Sequence, residues 1–125
     1  MLQGFQLQTE PLNDYERDTL LPVICRGLVT KVGKAKAITN TAITRAMKGA
    51  GYQLTEARLR KIINHIRTNG LIKLLIATSN GYYIATSTEE VQQYIESLRG
   101  REDAIRVVRE SMERQLQSSQ QWQRN

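Results

Sequence analysis

The sequence holds a single cysteine, Cys25, and a single histidine, His65. One thiol cannot close an internal disulfide and fits a reducing compartment. Cys25 therefore reads as a small buried hydrophobe on a helix. A lone histidine, without a Cys or acid cluster at ligand spacing, argues against a zinc site. No Ser-His-Asp or Cys-His set can be assembled, and there is no Gly-rich phosphate loop of the required form. His65 then reads as a solvated helix residue, and the chain as non-enzymatic, with no cofactor, no metal and no small-molecule substrate. Aromatic residues make up only 6%, and the paired aromatics of RNA-stacking platforms are missing. No apolar run approaches the roughly 18 residues needed to span a bilayer. The opening MLQGFQLQTEPLND has neither the basic nor the apolar region of a secretory signal. These absences lead to the expectation of a cytoplasmic protein with no membrane partner.

What is present is positive charge, unevenly placed. The 125 residues carry a net +6, enough chain for one domain with a modest core. Between Arg26 and Lys73 stand eleven Lys or Arg and one acid, Glu56; the rest of the chain has seven bases against eleven acids. A solvated charged face would mix both signs. Segregated positive charge attracts polyanions, nucleic acid first among them, with an acidic protein partner or anionic lipid drawn by the same field.

The pattern along the chain predicts a mainly helical α+β protein. Residues 1–12 read as a flexible, Gln-containing arm closed by Pro11. Asn13 reads as an N-cap with Glu16 reaching back to it. A helix follows from Tyr15 to about Val32, with Leu20, Leu21, Ile24, Leu28 and Val32 on one face. Pro22 lies inside it, so the helix either starts later or is kinked there; a kinked helix is the preferred reading. Gly33 to Lys36 form a basic loop, and Ala37 to Thr39 a short strand. Asn40 or Thr39 caps a second helix from Thr41 to Lys48, with Ala42, Ile43, Ala46 and Met47 on one face. Gly49-Ala50-Gly51 ends it.

Thr55 caps a third helix to Thr68, whose stripe Leu59, Ile62, Ile63, Ile66 is the clearest amphipathic signature in the chain. Asn69-Gly70 stops it. Leu71 to Thr78 and Tyr82 to Thr86 read as strands joined by Ser79-Asn80-Gly81, a strong hairpin signal. One of Tyr82 and Tyr83 is expected in the core. Ser87 and Glu90 form a further capping box, opening a long helix toward Leu116 with an interruption at Gly100. Gln117 to Asn125 read as a disordered tail.

Helix, short strand, helix, turn, helix, hairpin, helix is the order of a winged helix-turn-helix. From Ile38-Thr39 to Gly70, and then Ser79-Asn80-Gly81-Tyr82-Tyr83, the chain resembles winged-helix DNA-binding domains of the biotin-repressor type. The turn through Gly49-Ala50-Gly51-Tyr52 is longer than the tight turn of those repressors. The segments YERDTLLP (Tyr15 to Pro22) and EEVQQYIESL (Glu89 to Leu98) further resemble small winged-helix proteins of phages and prophages. The resemblance implies a regulator or replication accessory that lays its third helix in the major groove of double-stranded DNA. It implies a winged-helix domain over residues 13–99 and a C-terminal helical extension over 100–116.

On that reading the third helix turns Ala57, Arg60, Lys61, Asn64 and Thr68 outward, with Arg58 and His65 on a flank and Thr55 and Glu56 at the end that meets bases. Arg60 and Lys61 suit guanine or phosphate and Asn64 suits adenine. Glu56 selects cytosine or favours the helix N-terminus electrostatically, the second being the stronger reading. The amides of Asn40 and Thr41 suit a phosphate, flanked by Arg45, Lys48, Lys34 and Lys36. Ser79 and Asn80 form a wing tip without a cation. On the C-terminal helix Val91, Leu98, Ile105 and Met112 recur every seven residues, while the other seam reads Ile95, Glu102, Arg109, Leu116. Ile105, Val108, Met112 and Leu116 form an apolar stripe suited to a homodimer. The competing function is a winged-helix adaptor that binds protein through its basic face or this stripe.

Overall fold

The computed structural model describes residues 8–124, with side chains described to Gln120. The chain divides into two compact units, one ending at Thr88 and one beginning at Glu89. The first is mainly helical with a two-stranded hairpin. The second is a single helix.

The first helical stretch opens with a complete capping box. Asn13 Oδ1 accepts from the Glu16 amide at 2.9 Å, and the Asn13 amide donates to Glu16 Oε1 at 2.9 Å. A π-helical turn, Glu16–Leu20, leads into α1, Leu21–Leu28, with Pro22 in its first turn. Proline lacks an amide hydrogen and its ring crowds the carbonyl four residues back. The wider π turn, closed by the Leu21 amide on the Glu16 carbonyl, accommodates it without ending the helix. Leu20, Ile24 and Leu28 are buried. The helix stops at Leu28 rather than near Val32, because residues 31–33 are needed as extended chain. The Lys31 carbonyl accepts from the Ile84 amide at 2.8 Å and the Gly33 amide donates to the Ile84 carbonyl at 2.9 Å. Residues 8–12, expected to belong to a loose arm, are docked: Leu12 packs against the core and the Gln8 carbonyl accepts from Asn64. Positions 1–7 of that arm lie outside the described residues.

A single 3-10 turn, Lys34–Lys36, precedes α2, Asn40–Gly49. Thr39, not Asn40, is the cap, its hydroxyl accepting from the Ala42 amide at 3.1 Å. Ile43, Thr44 and Met47 are buried while Ala42 and Ala46 stay exposed, so the buried face is narrower than the sequence suggests. Thr55 caps α3, Glu56–Thr68, and Leu59, Ile62, Ile63 and Ile66 form the centre of the core. Truncating one of these to alanine costs about 2–5 kcal/mol.

β1, Leu75–Thr78, pairs antiparallel with β2, Gly81–Ile84, in the register Leu75↔Ile84 to Thr78↔Gly81. The strand expected from Leu71 begins four residues later. Residues 71–74 complete the turn out of α3, with the Leu71 amide on the Ile66 carbonyl and Leu74 at φ +61°. The short strand expected at 37–39 is reduced to one bridging residue, Ile38, opposite Tyr82; Val32 bridges Ile84 on the same edge of β2. Gly81 makes this approach feasible. Its φ is +121°, and a Cβ there would lie 2.5 Å from the backbone carbon and oxygen of Ile38.

The second unit is formed by α4, Thr88–Arg124, 37 residues long, whose first residue closes the first unit. It runs through Gly100 without a break and continues over 117–124, where a disordered tail was expected. One glycine costs about 1 kcal/mol in a helix interior, too little to interrupt so long a hydrogen-bond ladder. The expected boundary between residues 99 and 100 thus has no counterpart, and the units divide after Thr88. Asn125 lies outside the described residues. Among the described residues no helix is long and apolar enough to cross a membrane.

Candidate functional site

Two groups of cations stand out in the basic segment, apart from Arg26, Lys31 and Lys73. Lys34 and Lys36 stand on the 3-10 turn. Arg45 and Lys48 continue an exposed stripe of α2 that begins at Thr41, at i, i+4 and i+7. All four are exposed, and among the described residues none forms an ion pair. By contrast, α4 pairs three of its five described arginines with acids one turn away: Arg99 with Glu96, Arg106 with Asp103 and Glu110, Arg109 with Glu113; Arg101 and Arg114 form no ion pair among the described residues.

The second group lies on α3, and here the outward face differs from expectation. Thr55, Glu56, Ala57 and Arg60 are exposed. Arg58, Lys61 and Asn64 are engaged. Lys61 Nζ lies 2.8 Å from Glu16 Oε1 with its side chain only 13% exposed, and Arg58 Nε lies 3.0 Å from Glu16 Oε2. Arg58 also donates to the Gln53 carbonyl at 3.3 Å and stacks over the Tyr15 ring at 5.3 Å. The Tyr15 hydroxyl in turn accepts from the Gln53 amide. Asn64 Nδ2 donates to the Gln8 carbonyl at 3.3 Å. The segment from Gln8 to Glu16 therefore takes up three side chains expected to face a ligand.

Glu16 is the hub. Burial by itself would raise its pKa. The hydrogen bonds from Lys61, the Asn13 amide and Arg58, with the Lys61 charge, outweigh that and hold the carboxyl below its ordinary value. Its partners stand 42 and 45 residues away, so local spacing showed only the capping box. The signal that was there is the i, i+3 placement of Arg58 and Lys61 on one flank of α3, facing a helix that carries one buried acid.

A cleft of about 450 Å³ opens between the N-termini of α2 and α3 and the hairpin tip, with Asn40, Thr41, Glu56, Arg60, Ser79 and Tyr82 among its walls. Asn40 Oδ1 accepts from the Tyr82 hydroxyl at 2.9 Å, and its Nδ2 donates to the Glu56 carbonyl and carboxylate. Thr41 Oγ1 donates to Glu56 Oε1 at 3.0 Å. A carboxylate thus stands beside the positive end of α2, held by the side chains of Asn40 and Thr41. A phosphate approaching the Asn40 and Thr41 amides would have Glu56 as its neighbour. Arg60 lies 3.7 Å from Glu56, and both are about half exposed, so this contact is weak and leaves Arg60 movable. Tyr82 is half-buried, and burial pushes its phenol pKa up, opposed by the charges of Arg60 and Arg67. Tyr83 is the tyrosine in the core. Ser79 and Asn80 form the exposed two-residue tip, where the Asn80 amide donates to Thr78 Oγ1.

Ile105, Val108, Met112 and Leu116 are each more than half exposed. Among the described residues no group of three His, Cys, Asp or Glu is placed to hold a metal ion. The chain matches no protein-family model, no curated protein and no solved structure.

Proposed function

We propose that the unit ending at Thr88 is a winged helix that binds double-stranded DNA, with Lys34, Lys36, Arg45 and Lys48 on phosphates and Arg60 at the groove edge. One observation carries the reading: four exposed cations stand without acidic partners on the turn and helix directly ahead of α3, in a segment that holds a single acid, whereas three of the five arginines described on α4 are paired within the helix. Free cations are what displaces the counterions condensed on a polyanion. Ala57 and Thr55 leave room for close approach beside Arg60. With Lys61 and Asn64 engaged, few side chains remain to read base edges, so affinity comes mainly from the backbone and sequence preference is modest.

The adaptor reading has one observation in its favour, the loss of Lys61 and Asn64 as exposed groups. An Arg45→Glu, Lys48→Glu protein distinguishes the two, because both side chains are exposed and unpaired and the fold should survive. Loss of duplex binding by at least tenfold in a folded variant supports DNA. Unchanged binding removes α2 from the interface. A wild type with no affinity for duplex at low salt leaves the adaptor.

A further inference from the structure

The apolar stripe of α4 carries a charge pattern that selects a partner. Beside the seam position of Leu98, Ile105 and Met112, the second seam position reads Ile95, Glu102, Arg109 and Leu116, again at seven-residue intervals. Read along the helix they are apolar, acidic, basic, apolar. Read in reverse they are apolar, basic, acidic, apolar. The pattern is complementary to its own reversal.

We infer that α4 pairs with α4 of a second copy in antiparallel orientation, centred near Ile105, with Glu102 of each copy meeting Arg109 of the other and Ile95 meeting Leu116. Ile105, Val108, Met112 and Leu116 supply the apolar contact, and all are more than half exposed in the single chain. In a parallel pair each position meets its own copy across the two-fold axis. Glu102 would then face Glu102, and Arg109 would face Arg109, in a seam partly shielded from water. Like charges so placed are disfavoured, and the reversed pairing replaces both repulsions by attractions. Glu102 forms no ion pair among the described residues, so its carboxylate is open to a partner. Arg109 holds Glu113 through Nη1 at 2.6 Å, which leaves other guanidinium donors for Glu102 of the second copy. On the outer side of the seam Arg101 lies against Val108 of the second copy, its stem over apolar surface and its head in water.

The inference does not rest on the DNA reading, and its test contains no DNA. Sedimentation equilibrium of the full chain should show a monomer–dimer equilibrium. Glu102→Arg alone should weaken the dimer about tenfold, as two attractive contacts become repulsive. Adding Arg109→Glu should restore wild-type affinity. Both positions are exposed on a lone helix, so neither change threatens folding. Orientation is read by mixing Ile95→Cys and Leu116→Cys chains, each carrying Cys25→Ala, under mild oxidation: the mixed disulfide between the two variants should dominate. A wild type that stays monomeric, a Glu102→Arg protein that dimerises as well as wild type, or disulfides that form only between like chains would each overturn the antiparallel pair.

Discussion

Replacing Glu16 by alanine removes the carboxylate on which three donors converge. The wild-type group accepts from Lys61 at 2.8 Å, Arg58 at 3.0 Å and the Asn13 amide at 2.9 Å, with its side chain 4% exposed. The variant leaves Lys61, 13% exposed, as a nearly buried cation without a partner. Arg58 suffers less, because it is 30% exposed and keeps the Gln53 carbonyl and the Tyr15 ring. Breaking a buried pair by deleting one partner costs about 3–5 kcal/mol. That is a large part of the roughly 5–15 kcal/mol that holds a small domain together. At roughly 4–8 °C per kcal/mol for a unit of this size, the midpoint should fall by more than about 10 °C. Near-UV circular dichroism in a Trp122→Phe background, followed in a urea or thermal titration, reads mainly this unit, which holds four of the five tyrosines. The pH dependence has a definite sign. The folded pKa of Glu16 lies below its ordinary value of 4.5, so its contribution is complete above that value and is lost as pH falls through the lowered one. Glu16→Ala should lack this acid-sensitive component. A variant within about 1 kcal/mol of wild type at neutral pH, or one with an unaltered acid limb, would refute the hub.

Gly81→Ala should destabilise by about 2 kcal/mol or more, from a disfavoured φ and a Cβ driven into the Ile38 backbone; urea titration checks it, and a neutral result would mean that Ile38 does not lie against β2. Leu74→Asn should stabilise by up to about 1 kcal/mol, because leucine at φ +61° is strained, its side chain is exposed, and asparagine tolerates that conformation. A loss of stability measured by the same titration would show that the Leu74 side chain is anchored. Lys61→Glu, which a reading of α3 as wholly outward would treat as a surface change, should unfold the domain by setting two carboxylates together; circular dichroism decides this, and a folded variant would place Lys61 in solvent.

The elements were legible in the sequence where local chemistry determines them. The Asn13–Glu16 box, the Thr55 cap, the α3 stripe and the Thr78–Gly81 turn all rest on spacings of two to four residues, and all are present. Element limits were less legible where a distant partner intervenes. Leu71 to Leu74 are as apolar as the strand that follows, yet the turn out of α3 takes them. Val32 continues the α1 periodicity but is drawn into a bridge with Ile84. The same reason explains the candidate site. Arg45, Lys48, Lys34 and Lys36 are exposed because nothing acidic lies near them, which the charge count along the chain anticipated. Arg58, Lys61 and Asn64 occupy outward positions on a helical wheel, but the wheel has no knowledge of residues 8–16, which cover that side. Glu56, the lone acid of the basic segment, is held by Asn40 and Thr41 at the N-terminus of α2, a contact across elements that lies outside both roles read for it, cytosine selection and service to its own helix.

In the DNA reading, Lys34, Lys36, Arg45 and Lys48 meet the phosphates of the duplex. Fluorescence anisotropy of a mixed-sequence duplex, titrated with the full protein at several salt concentrations, tests it directly. Each phosphate contact contributes about −0.9 to the slope of log affinity against log salt. The four cations Lys34, Lys36, Arg45 and Lys48 predict a slope of about −4, and Arg45→Glu with Lys48→Glu should bring it to about −2 or shallower. No binding at low salt, or a slope unchanged by the double substitution, would contradict the account.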